Sequence, residues 1–88
     1  MEIEVRGKAG AESAFEDGME LWWAGEKKKA ARRFRDALKL DPGHADAHNH
    51  LGIVDLEAGR LDAAARHFEA AIRGGERELL RDGALIES

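Results

Sequence analysis

Apolar positions along the chain recur at spacings of three and four rather than alternating, which is the period of a helix. In "AESAFEDGMELWWAG", Phe15, Met19 and Trp22 fall four and three apart and share a face, with Trp23 on its flank. In "EAGRLDAAARHFEAAI", Ala64, Phe68, Ala71 and Ile72 do the same, but here the face is mostly alanine around one ring. Small side chains on a packing face let another helix come close. The pattern predicts helices over about Gly10 to Ala24, Lys27 to Leu40, 43–58 and Leu61 to Arg73. Gly25 and Gly59 end the first and third. In "DPG", Asp41 is expected to cap the third helix and Pro42 to open it. "GG" at 74 and 75 is expected to stop the fourth helix, leaving a last, less regular one with Leu79, Leu80, Leu85 and Ile86 as its apolar residues.

Sliding the chain against itself by 34 residues aligns "WAGEKKKAARRFRDAL" with "EAGRLDAAARHFEAAI" without a gap. Gly18 falls on Gly52, Gly25 on Gly59, Ala30 on Ala64, Phe34 on Phe68 and Ala37 on Ala71. Alanine is common here, at sixteen residues, so the glycine and phenylalanine pairs carry the argument for an internal repeat.

A helix–turn–helix unit of this length and pattern resembles the tetratricopeptide repeat. The matching positions are the small first-helix residue (Gly18, Gly52), the tight-turn residue (Gly25, Gly59) and the second-helix alanine, aromatic and alanine. Those last are Ala30, Phe34 and Ala37 in one unit and Ala64, Phe68 and Ala71 in the other, and Pro42 matches the inter-repeat proline. The resemblance implies an all-α fold, with helix-turn-helix units stacked as a short right-handed solenoid. It divides the chain into an N-terminal tail (1–10), repeats at 11–44 and 45–78, and a C-terminal capping helix or start of a third repeat at 79–88. Gly52 is expected opposite Ala64 and Ala71, with Phe68 filling the wedge where the helices diverge; Gly18 should pack likewise with Ala30, Phe34 and Ala37. The chain departs from the family at the first-helix tryptophan, where it has Ala14 and His48, and before the first glycine, where it has Asp17. At a core position usually aromatic it has Leu21 and Asp55, and Glu76 replaces the second proline.

The same resemblance puts first-helix residues on a concave surface where partners bind: Phe15, Met19, Trp22 and Trp23 in one unit, Asn49, Ile53 and Leu56 in the other. Two readings stand for the aromatic group, a binding face or packing against the next helix to thicken a thin core. Adjacent tryptophans cannot both point inward from one helix. The lysine and asparagine clamp that chaperone-binding members use for a C-terminal carboxylate is missing, since Phe15 and Met19 occupy its first-unit positions.

Charge sharpens this picture little. The net charge is −4, but residues 27–39 sum to +6 and the segments on either side to −5 each. That basic helix reads as a solvated face, with a contact to an anionic partner as the lesser alternative and nucleic acid disfavoured by the acidic flanks. His44 and His48 stand four apart, but without a further ligand pair no metal site is expected. There is no cysteine, tyrosine or threonine, and no phosphate-cradling loop, so catalysis and a cofactor are not expected. No leader or membrane-spanning stretch is recognisable, and a soluble cytoplasmic protein is expected. The function that follows is a non-enzymatic protein–protein interaction module that holds a peptide or helix on its concave face. The alternative is a scaffold that self-associates as a homodimer through Phe15, Met19, Trp22 and Trp23.

Overall fold

The computed structural model describes the backbone of residues 2–87 and the side chains of residues 9–76. It has four helices and, among the described residues, no strand: α1 (Glu2–Trp23), α2 (Lys27–Leu40), α3 (Ala45–Glu57) and α4 (Leu61–Glu87). α1 pairs with α2 and α3 with α4, and α3 seats on α2, which makes a short stack of two helical hairpins. No helix among the described residues is long and apolar enough to cross a membrane.

Both hairpins turn on glycine, as expected. Gly25 has φ 86° and Gly59 φ 82°, a left-handed conformation that costs an L side chain about 1–2 kcal/mol. Around each glycine the helix closes in the same way. Gly25 N–H donates to Trp22 and Glu26 N–H to Leu21; Gly59 N–H donates to Leu56 and Arg60 N–H to Asp55. These paired bonds satisfy the last carbonyls of α1 and α3.

The turn between hairpins differs from the sequence expectation. His44, not Asp41, caps α3, because its Nδ1 accepts the Ala47 N–H at 3.1 Å. Asp41 closes α2 instead, donating its N–H to Ala37 and accepting the Gly43 N–H on its carboxylate; Pro42 lies in the turn, outside the helix. Helix α3 is correspondingly shorter than 43–58.

Two other boundaries move. α1 already begins at Glu2, ahead of the start expected near Gly10. Gly10 is where α1 passes close to the end of α2: a Cβ there would stand 3.0 Å from Leu40 Cδ1. At the other end, α4 runs without a break through Gly74 and Gly75 to Glu87, so there is no stop at 74–75 and no separate last helix. A glycine stop needs positive φ, and among the described residues only Gly25 and Gly59 have it. Gly74 serves a different purpose: a Cβ on it would fall 2.5 Å from the Gly43 carbonyl oxygen, so its bare backbone lets the inter-hairpin turn lie against α4. The apolar residues expected at 79, 80, 85 and 86 lie outside the described side chains.

The core is built on alanine with a few large residues. Ala11, Ala14, Ala37 and Ala47 form one cluster, and Ala30, Ala31, Phe34 and Leu51 the other. Phe15 packs against both and so joins them. Both paired glycines lie against rings; Gly18 also meets Ala30 as expected, its Cβ position 3.3 Å from the Ala30 carbonyl oxygen, whereas the nearest atoms to Gly52 all belong to Phe68 and not to Ala64 or Ala71. A Cβ on Gly18 would stand 2.6 Å from Phe34 Cε1, and one on Gly52 would stand 2.6 Å from Phe68 Cε1. Ala30, Ala37 and Ala64 are buried nearby, while Ala71 is half-buried. The two phenylalanines are not equivalent: Phe34 is fully buried because α3 covers it, whereas Phe68 is only half-buried.

Candidate functional site

The expected first-helix track divides into a packed part and an open part. The Phe15 ring centroid is 5.6 Å from that of Phe34, 5.2 Å from His44 and 5.4 Å from His50. Trp22 meets His50 edge-on at 6.4 Å, and Lys27 Nζ lies 4.9 Å from the Trp22 ring centroid. With Met19, also half-buried against the core, these residues fill the space between α1 and α3. Trp23 turns outward and is 78% exposed. On α3, Leu56 is 51% exposed, Asn49 is exposed and Ile53 half-buried.

Histidines fix how the hairpins meet. Because His44 Nδ1 accepts the cap bond, its proton sits on Nε2 and is donated to Glu12 Oε1 at 2.6 Å, which ties α1 to the start of α3. His50 Nδ1 donates to the Asp46 carbonyl at 3.0 Å, which holds its ring against the three aromatics.

A polar network that the sequence reading did not connect lies between α3 and α4. Asp55 is 7% exposed, in the position where the family is usually aromatic. Its Oδ1 accepts Arg60 Nε–H at 2.9 Å, and its Oδ2 faces His67 Nε2 at 3.6 Å. His67 Nδ1 meets His48 Nδ1 at 3.1 Å, and His48 Nε2 donates to the Pro42 carbonyl at 2.8 Å. The carbonyl fixes the proton pattern: His48 carries its proton on Nε2 and accepts from His67 Nδ1–H, so a second proton on His67 would point at Asp55. Burial, the largest cause, holds the His67 imidazole below the ordinary histidine value; Asp55 works against this, and His48 and Arg35 add to it. The signal for this network was present, since His48 and Asp55 are seven apart on one face of α3, and both replace apolar family residues. What the sequence could not show is that His67 reaches them from α4. Among the described residues no three metal-binding side chains converge.

Exposed ion pairs complete the hairpin contacts. Arg33 bridges α1 and α2 through Asp17 at 2.7 Å, and Lys27 bridges the two hairpins through Glu57 at 2.8 Å.

Stacked helical hairpins with glycine turns and a ring on each first-helix glycine define a helical-repeat protein. The tetratricopeptide repeat family model matches residues 10–78, and the chain belongs to that family. The family is generally a non-catalytic module that mediates protein–protein interactions. Over 62 residues, 70% of this chain, the sequence is 36% identical to a protein of Solanum lycopersicum described as a probable UDP-N-acetylglucosamine–peptide N-acetylglucosaminyltransferase SPINDLY. The match spans 7% of that protein, and the activity in its name is said of that protein alone. No solved structure matches the chain.

Proposed function

We propose that this chain is a non-enzymatic interaction module, working in the cytoplasm, that holds a peptide or helix of another protein along the first helices of its two units, residues 11–44 and 45–78. The observation that carries this reading is Trp23, a tryptophan left 78% exposed on that track. A large aromatic in water is the type of residue that anchors interfaces. Leu56, Asn49 and Ile53 extend the track on α3, while Phe15, Met19 and Trp22 support it from beneath. A cysteine-free chain fits a reducing compartment.

The test is a peptide library displayed against the intact chain. Recovered peptides should bind a Trp23→Ala/Leu56→Ala variant with affinity reduced by roughly 2 kcal/mol or more, the scale of a hot spot. Peptides that bind that variant as tightly as the parent would remove the first-helix track as the binding face.

A further inference from the structure

Between the outer side of α2 and the α3–α4 turn lies a cleft of about 470 Å³, a size that suits a few side chains of a ligand. Its floor is apolar, formed by Trp22, Ala31 and Val54, and one wall is the row Lys28, Arg32 and Arg35. These three stand four and three apart on α2, so they line one side of it over about 10 Å at 1.5 Å per residue. All three are exposed, and among the described residues none is ion-paired. The other charges at the cleft are already engaged. Lys27 holds Glu57, the one carboxylate on the lining, and Arg60 holds Asp55. The first turn of α2 carries lysines and no acid, against the local preference at the positive end of a helix, which adds to the positive potential here.

We propose that this cleft binds an acidic peptide segment, extended, with carboxylates at alternate positions and an apolar side chain beside them. In an extended chain, alternate residues point the same way about 6.6 Å apart, which suits the spacing along the Lys28–Arg32–Arg35 row. The neighbouring apolar side chain covers the floor. Nucleic acid fits less well, because the chain on either side of the basic helix is acidic and repels a polyanion beyond the first contact. Of the first-helix track the cleft takes only Trp22, while Trp23, Leu56 and Asn49 lie outside it, so the charge variants and Trp23→Ala/Leu56→Ala separate this assignment from the first-helix reading.

The chain has two tryptophans, so Trp23→Phe leaves Trp22 as the sole fluorescent reporter at the cleft floor. This variant is titrated at physiological salt with an end-blocked peptide of alternating glutamate and leucine, with its glutamine counterpart, and with a single-stranded DNA oligonucleotide. The glutamate peptide should shift Trp22 emission saturably. Adding Lys28→Gln, Arg32→Gln and Arg35→Gln should weaken it about tenfold, the combined effect of three exposed ion pairs. Circular dichroism checks that helicity is kept, and the single change Arg32→Glu, expected to weaken binding in the same direction, serves as a second variant. Equal affinity for the glutamine peptide, unchanged affinity in the charge variants, or tighter binding of the oligonucleotide would overturn the proposal. So would loss of the glutamate peptide on Trp23→Ala/Leu56→Ala with retention in the charge variants, which would seat the peptide on the first-helix track instead.

Discussion

Phe34 and Gly18 form a ring-on-glycine contact so close that a single methyl on Gly18 would stand 2.6 Å from Phe34 Cε1. Phe34 is fully buried and enclosed by α3, so its ring has nowhere to move. Gly18→Ala should therefore destabilise the chain by about 1–2 kcal/mol, an overpacking cost partly offset by the better helix propensity of alanine. Gly52→Ala meets the same distance against Phe68, but that ring is half-buried and can swing outward, so its cost should be smaller. Urea denaturation of the two variants tests the order, and equal or reversed losses would contradict it.

The same asymmetry governs the rings themselves. Phe34→Ala should cost about 3–5 kcal/mol, the range for a buried phenylalanine, which for a chain this small approaches global unfolding. Phe68→Ala, starting from a half-buried ring, should lose about half as much. Thermal melts followed by circular dichroism give the comparison, and a Phe34→Ala variant that melts like the parent would contradict the packing described.

Adjacent glycines in α4 should respond in opposite directions. Gly74→Ala would place its Cβ 2.5 Å from the backbone oxygen of Gly43, which cannot yield without moving the inter-hairpin turn; a loss of about 1–3 kcal/mol is expected. Gly75 has open space around its Cβ position, and in a continuous helix Gly75→Ala should stabilise by about 0.5–1 kcal/mol. A destabilising Gly75→Ala in the same melting experiment would mean that the helix ends there after all.

Acid should weaken the α3–α4 pairing through His67. Burial lowers its folded-state pKa below the unfolded value of about 6.5, so between those two values the unfolded chain binds more protons than the folded one. His67's contribution is thus complete above about pH 6.5 and is lost as the pH falls through the folded value. His67→Gln should flatten this part of the stability profile. Asp55→Asn removes the one neighbour that favours the charged form, so it should make the acid loss steeper. Denaturant midpoints measured from pH 8 to pH 5 check both, and a His67→Gln profile that parallels the parent would exclude His67 as the source.

The sequence by itself determined the helices of the two hairpins, their glycine turns and the 34-residue repeat, because these rest on local period and on glycine's access to positive φ. It also showed that one of Trp22 and Trp23 had to face out, since neighbours on a helix point in different directions. Which one did so was decided by tertiary contacts, as His50 and Lys27 hold Trp22 down and, among the described residues, nothing comparable holds Trp23. The glycines at 74 and 75 read as a stop because the turn that needs Gly74 bare lies some thirty residues earlier in the chain. Asp41 is the usual capping type before a helix, but His44 takes the cap of α3, its ring accepting from Ala47 and held from the far side by Glu12 on α1. The linkage of Asp55, Arg60, His67 and His48, and the cleft beside Lys28, Arg32 and Arg35, exist only once the hairpins are packed. Periodicity tells which way a side chain faces on its own helix; what it meets there is set by another element, placed by packing that no local pattern encodes.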